Sequence, residues 1–313
     1  MGHEFVFLIK DKIKCAVDKN SAILVKFAVM ENTDCPICHS AATKSIYNDT
    51  LVQCTVCKHG WANLQLDHAF LQALYAENYF KGEEYADYLA DKDILQLNFK
   101  KRINTISKQI PNLKSALEIG CAYGFFYQTL QEKFPNAAYI GYDISADAIS
   151  YAKQHFGSYF SADNFLDSDP TQQHDALFMW DVIEHLSDPA AFLAKAHSVC
   201  KPGGMLYLTT GDFGALLSRL QGKKWRMIHP PTHLHYFTKR SIQKLLRANG
   251  FETVFIKYPP VYRSLGLIYF ALFILNKKPS RFHQWIYRHI PRGAAIPINT
   301  FDIFFVGAKK ISN

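Results

Sequence analysis

The sequence predicts an α/β protein: a largely parallel sheet covered by helices on both faces, preceded by a small metal-stabilised module. Three observations carry that expectation. From Ser115 onward apolar runs alternate with helical patterns; the first run ends at an acid and breaks into glycines in "SALEIGCAYGFF"; and two C-x-x-C pairs stand fifteen residues apart near the amino terminus. The 313 residues suffice for one full α/β core and one smaller module. With 49% apolar and 20% charged residues, the composition is that of an ordinary globular chain and excludes a disordered or fibrous one.

Residues 1–30 read as a leader. Everything interpretable begins at "MENTDCPIC", so Met30 is the expected natural start. Lys10, Asp11, Lys12, Lys14, Asp18, Lys19 and Lys26 interrupt the leader and argue against a signal peptide. No segment approaches the ~20 uninterrupted apolar residues of a membrane span. A cytoplasmic protein is expected.

Cys35-x-x-Cys38 and Cys54-x-x-Cys57 carry a metal signature. Each pair places two thiolates on one tight knuckle, and two knuckles at the ends of a short hairpin close a tetrahedral sulfur site that suits zinc. A segment of about 35 residues buries too little surface to fold unaided, so the metal would supply its folding energy and be structural. The alternative is two redox pairs. Residues 31–65 are therefore read as a C4 zinc ribbon, with His39 and His59 as surface residues beside the knuckles. Cys15, Cys121 and Cys200 read as unreactive small residues.

Residues 66–111 form a connector, helical from about Tyr75 to Leu97. The core then reads "SALEI" and a helix from Phe125 to Phe134; "AAYIGYD" and "SADAISYAKQHF"; "HDALFMW" and "DPAAFLAKAHSVC"; and "GGMLYLTT". Two final strands, "GFETVFIKY" and "TFDIFFVGAKK", close it. Ligands of such sheets sit at the carboxyl ends of the strands, near the switch point.

Glu118, Gly120, Cys121, Ala122 and Gly124 occupy the first strand end, where glycines let the backbone approach a ligand. Asp143 ends the second strand 25 residues after Glu118, where a carboxylate can accept from two ribose hydroxyls. Ala122 and the early Gly124 break the G-x-G-x-x-G pattern, and no G-x-x-x-x-G-K-[ST] is present. A pyrophosphate cradle and the common ATP or GTP sites are thereby set aside.

In this order, "LEIGCAYG", "GYDIS", "SADNF", "FMWDVIEHLSDP", "KPGGMLYLTT" and "PPTHLHYFTKRSIQKLLRANGFE" resemble class I S-adenosylmethionine-dependent methyltransferases, in the group that includes ubiquinone-pathway O-methyltransferases. The resemblance spans about Asn112 to Lys309 and implies a Rossmann-like seven-stranded sheet in a domain over 112–313. It implies that the Gly120–Gly124 turn lines the methionine and ribose of S-adenosylmethionine. By the same resemblance Asp143, with Ile144 next to it, holds the ribose, and Asp163 meets the adenine amine with Asn164 and Phe165 beside it. Met179, Trp180 and Asp181 pass along the cofactor. A C4 ribbon before such a core also resembles methyltransferases of glycan and natural-product pathways, in which Tyr79 and Phe80 would cover cofactor or substrate; packing of the connector onto the core is the competing role.

A hydroxyl acceptor needs a base, and histidine is the natural candidate near neutral pH. His233 in "PPTHLHYF" ranks first and His185 in "DVIEHL" second; each could instead be structural. His235 reads as a partner of His233 or a loop residue, and Glu184 as a group orienting a histidine or satisfying a helix end.

Residues 259–298 are far too long for a hairpin loop. They contain "LGLIYFALFIL" flanked by Arg263, Lys277, Lys278 and Arg281. This insertion is expected to be a substrate lid, a homodimer contact, or a shallow membrane contact through 261–292 at the inner face of the membrane. From Arg219 onward 17 Lys and Arg face two acids, a net +15, leaving −7 for the first 218 residues. The leading expectation is an O-methyltransferase for a small-molecule, glycan or lipid-linked acceptor. Its rivals are an RNA methyltransferase using the basic half and a non-catalytic cofactor-binding scaffold. The ribbon holds only Lys44 and Lys58 against Glu31, Asp34 and Asp49, a poor surface for phosphates, so nucleic acid is the weaker partner.

Overall fold

A computed structural model describes residues 34–64, 89, 91–169, 172–274, 280–291 and 293–311, together with three short strands at 5–10, 13–18 and 24–28. The three strands, β1 (Phe5–Lys10), β2 (Ile13–Asp18) and β3 (Leu24–Ala28), pair antiparallel. Tyr79 and Phe80, and most of the helix expected at 75–97, lie outside the described residues.

The core is the expected α/β sheet. Its seven strands are β7 (Ser115–Ile119), β8 (Ala138–Tyr142), β9 (Phe160–Ser161), β10 (His174–Trp180), β11 (Cys200–Gly211), β13 (Phe251–Lys257) and β16 (Ile303–Lys310). Their order is β13-β16-β11-β10-β7-β8-β9, and β16 alone pairs antiparallel to its neighbours. The chain builds outward from β7 through β8 to β9, then crosses to the other side of β7 to lay down β10. That reversal falls at the carboxyl ends of β7 and β10, where sheets of this kind bind their ligands.

Local chemistry sets the helices between these strands. Ser145 caps α3 (Ala146–Phe156) by accepting from the Ala148 amide, and Asp188 caps α4 (Pro189–Val199), whose first residue is the proline favoured there. After the short α5 (Leu216–Gln221), Thr238 and Ser241 form a capping box on α6 (Lys239–Ala248). Helix α1 (Lys92–Gln109) packs on α2 (Phe125–Lys133).

Strand alternation divides the core into two layers. Ala116, Phe178, Trp180 and Tyr207 face one side with Phe99 and Ile103 of α1 and Phe126 of α2. Leu117, Ile119, Leu177, Met179, Leu206 and Leu208 face the other with Leu193 and Ile242. The second layer continues without a break into Ile37, Val52 and Trp61 of the ribbon.

The ribbon is thus part of the core. Its strands β4 (Thr43–Ile46), β5 (Leu51–Cys54) and β6 (Gly60–Ala62) are joined by β12 (His235–Tyr236), supplied by the loop before α6. His59, expected at the surface, is fully buried between Trp61, His235 and Phe237. Burying a ring of Trp61's size is worth ~1.5–3 kcal/mol, so the contact is a real share of domain stability.

The insertion folds as β14 (Val261–Ser264) and β15 (Ala295–Ile298), paired antiparallel below a hairpin of α7 (Leu265–Phe273) and α8 (Arg281–His289). Among the described residues no helix is long and apolar enough to cross a membrane.

Candidate active site

The turn after β7 spends its amides inside the protein. Gly120 and Cys121 both donate to the Tyr142 carbonyl, at 2.7 and 3.1 Å; Ala122 donates to Asp143 Oδ2 at 2.8 Å; Gly124 donates to the Cys121 carbonyl at 2.9 Å. A phosphate cradle needs a row of N–H groups aimed at the ligand, and those four are committed elsewhere. Asp143, Asp163 and Asp181 gather at the same strand ends, which favours a cationic ligand over an anionic one.

The two glycines answer to conformation and packing first. Both have φ of 76°; a Cβ on Gly120 would stand 2.4 Å from Val182 Cγ2, and one on Gly124 2.8 Å from the Phe160 ring. Ala122 also adopts positive φ, at 44°. Asp143 explains how: its carboxylate ties the Ala122 amide on one oxygen and the Ser145 amide on the other, at 2.9 Å. Burial raises the Asp143 pKa while those two amides oppose the rise.

Glu118 points into the layer below the turn. Burial lifts its pKa to about 8, against the hydrogen bond from the Tyr139 hydroxyl, so it is largely protonated at neutral pH. Just past β8, Ile144 is 48% exposed although Tyr142 before it and Ser145 after it are buried, which leaves an apolar surface open to a ring. Asp163 accepts from Ser161 Oγ at 2.6 Å, and Asn164 donates to Asp167 at 3.0 Å; the Asp143 amide bonds the Ser161 carbonyl, which places this loop beside Asp143.

Met179 and Trp180 could offer a ligand only their backbone, because their side chains lie in opposite layers of the core. Asp181 follows with φ of 54°, its amide held by the Thr209 carbonyl and hydroxyl, both at 3.1 Å. Arg102 of α1, which the sequence reading missed, covers the Trp180 ring and approaches Asp181 at 3.8 Å. Nothing in the local sequence marks it; only the packing of α1 does.

Three histidines meet beyond β10. The His185 and His233 rings are 4.5 Å apart, and His229 lies 3.8 Å from His233. His229 was not expected here, although it stands four residues before His233 in a histidine-rich loop. Carbonyls only accept, so His185 Nδ1, 2.8 Å from the Thr232 carbonyl, and His233 Nδ1, 2.8 Å from the Met227 carbonyl, carry the protons. In the neutral rings Nε2 is then the basic nitrogen. Burial lowers the pKa of His185 and of His229 to about 4 and depresses that of His233 too, which keeps all three neutral at pH 7. Ligand atoms of Glu184, His185 and His233 lie within 4.8 Å of one another, close enough to converge on one small group.

This cluster is built on the ribbon. The Glu184 carbonyl accepts from the Leu234 and His235 amides at 2.8 and 3.0 Å, and the Ala62 amide of β6 donates to the Leu234 carbonyl at 2.8 Å. His235 itself turns away from the cluster and bonds His59, at 3.0 Å. Below β6 the four knuckle sulfurs gather within 4.8 Å, with Cys35 Sγ to Cys57 Sγ and Cys38 Sγ to Cys54 Sγ both 3.5 Å. Disulfides need ~2.05 Å. Zn–S bonds of ~2.3 Å in a tetrahedron put sulfurs ~3.8 Å apart, so this set fits a zinc ion. Amides of Ile37, Val56 and Cys57 donate to Cys35 or Cys54 sulfurs at 3.3 to 3.4 Å, as thiolates would require. Cys121 and Cys200 are buried with raised pKa values, Cys200 to about 12, which makes both poor nucleophiles.

A seven-stranded sheet whose switch point carries these motifs has the fold of the class I, S-adenosylmethionine-dependent methyltransferases. The chain belongs to the family described as a methyltransferase domain, whose model matches residues 90–255. It is similar to malonyl-[acyl-carrier protein] O-methyltransferase 2 of Ilyobacter polytropus, 27% identical over 138 residues that cover 42% of this chain and 52% of the relative. A ubiquinone biosynthesis O-methyltransferase of Bradyrhizobium sp. is 32% identical over 99 residues, covering 30% and 38%. The chain thus spans about half the length, or less, of these curated relatives. Among solved structures, a complex of the Haloferax volcanii Trm112 methyltransferase activator with a methyltransferase matches with a TM-score of 0.51 at 13% identity, over 79% of this chain and 100% of that one. The plantazolicin methyltransferase BpumL in complex with SAH matches at 0.50 and 15% identity, over 78% and 96%. Both likenesses concern the fold.

Proposed function

We propose that the chain methylates an oxygen of a small-molecule, glycan or lipid-linked acceptor, with His233 as general base and His185 beside it. The observation that carries this reading is the fixed ring geometry: the buried His233 and the partly buried His185, both neutral and each with Nδ1–H tied to a carbonyl, hold unprotonated Nε2 atoms past the end of β10. S-adenosylmethionine supplies a methyl group activated by the sulfonium charge. With that group bound, His233 Nε2 would take the proton that the acceptor hydroxyl gives up on methylation.

In this reading the Gly120–Gly124 turn and Asp143 would hold the ribose and methionine portions, and Ile144, Asp163 and Asn164 would hold the adenine. Glu118 braces the turn from beneath, while the Met179–Asp181 backbone forms the far wall. Cys35, Cys38, Cys54 and Cys57 hold a structural zinc. The O-methyltransferase names of the relatives support oxygen as the acceptor atom.

Calorimetric titration with S-adenosylmethionine and S-adenosylhomocysteine tests the cofactor site. Asp143→Ala should remove binding in a protein that remains folded. Single-turnover methyl transfer to an accepted substrate tests the base: His233→Ala should lower the rate ~10²- to 10⁴-fold with cofactor affinity intact. A larger loss in His185→Ala than in His233→Ala would reverse the two roles.

A further inference from the structure

Between Thr253 and Phe301 the sequence contains seven Lys and Arg and no acid. The hairpin of α7 and α8 is filled on its inner side: the Tyr269 hydroxyl meets His283 Nδ1 at 2.6 Å, Phe273 stacks on the His283 ring at 5.2 Å, and Phe270 meets Tyr287 at 5.6 Å. Among the described residues nothing covers its outer side. None of the α8 residues is buried; Phe282 is 64% exposed and Trp285 57%, three residues apart on one face. Arg281 and Arg288, seven residues apart, form an exposed stripe beside them.

An aromatic stripe flanked by arginines, on a short helix raised on a two-stranded stalk, has a specific complement. Water-facing Phe and Trp cost free energy that a protein recovers only by covering them. Another protein surface would have to be both apolar and acidic to match; an anionic phospholipid surface is both by construction, with acyl chains beneath phosphates. We infer that α8 docks this enzyme on an anionic phospholipid bilayer. Phe282 and Trp285 enter the interfacial layer, where Trp is favoured, and Arg281 and Arg288 bond the phosphates.

The stalk ties this surface to the chemistry. Asn98 of α1 clasps Tyr262 of β14 at both backbone groups, at 3.0 and 2.8 Å, and Arg102, one turn further along α1, reaches Asp181 at the candidate site. A docked enzyme would therefore hold the crevice at a set height above the bilayer, which suits an acceptor carried on a lipid. The docking itself stands apart from the choice of acceptor.

Trp61, Trp180 and Trp225 are buried, so Trp285 is the exposed member of the four tryptophans. The full-length protein is sedimented with vesicles of phosphatidylcholine, with and without phosphatidylglycerol, and its emission is recorded with brominated acyl chains as quencher. Sedimentation with anionic vesicles, a blue-shifted emission and quenching are expected. Arg281→Ser with Arg288→Ser should weaken binding about thirty-fold, from ~1 kcal/mol per basic residue at an anionic surface. Phe282→Ser with Trp285→Ser should abolish sedimentation while cofactor titration is unchanged, which separates lost docking from lost folding. The inference is overturned by a cofactor-binding protein that stays in the supernatant with anionic vesicles. It is equally overturned by self-association that Trp285→Ser removes and that leaves vesicle binding untouched.

Discussion

His59 Nε2 lies 3.0 Å from His235 Nδ1, with the two rings stacked at a centroid distance of 5.2 Å. One residue belongs to the ribbon and the other to the loop that carries His233, 176 positions later in the chain. One ring must donate and the other accept, so each imidazole fixes the tautomer of its partner.

If that pair aligns the loop, His59→Ala should lower kcat about ten- to a hundred-fold while cofactor affinity is unchanged, because small misplacements near the reacting atoms are that costly. His59→Gln, which keeps a side chain able to donate or accept, should restore part of the rate. Comparing kcat and cofactor Kd across the two variants checks this. Equal losses in both would mean that only bulk packing matters.

Metal removal should act on the whole domain. Trp61, Val52 and Ile37 belong to the same apolar layer as the sheet, so chelation or Cys57→Ser should lower the Tm of the single main transition by roughly 10 °C or more, the scale of a few kcal/mol. Differential scanning calorimetry would show instead an unchanged main transition if the ribbon melted separately.

Gly120→Ala should be destabilising by ~2–4 kcal/mol, from the left-handed backbone together with the 2.4 Å contact with Val182. Adding Val182→Ala should recover the steric part alone. Urea denaturation of the single and double variants separates the two contributions.

The buried histidines set a pH dependence. His185, His229 and His235 have pKa values lowered by burial to about 4, and His233 is lowered too, against an ordinary 6.5. The unfolded chain then binds more protons between those values, so stability is complete above pH 6.5 and is lost as pH falls toward 4. Each histidine contributes up to ~1.4 kcal/mol per pH unit in that window. Urea midpoints measured from pH 7.5 to 4.5 should fall steeply, less so in His229→Asn. The acidic limb of kcat/KM should likewise sit well below 6.5; a limb near 6.5 would mean that the base is solvated.

Much of the core was legible in the sequence because it depends on local patterns: Ser145, Asp188 and Thr238 mark helix starts, and "HDALFMW" runs unbroken apolar from Ala176 to Trp180. The burial of the Met179 and Trp180 side chains was implicit in that same strand, since a central parallel strand is covered on both faces. What escaped the sequence is long-range. Nothing in "HGWA" announces that Gly60–Ala62 will pair with His235–Tyr236, and so His59 looked like a surface residue. Arg102 and His229 escaped for the same reason: their importance lies in what packs beside them.

The strand shared by ribbon and loop also bears on how the domain is handled as a reagent. A core expressed from residue 66 onward would leave the backbone of His235 and Tyr236 as an open edge, with Phe237 and the face of α6 bare beside it. Open edges next to apolar surface recruit copies of themselves. A trimmed version should therefore precipitate instead of merely losing activity, and a preparation starved of metal should behave like the trimmed one.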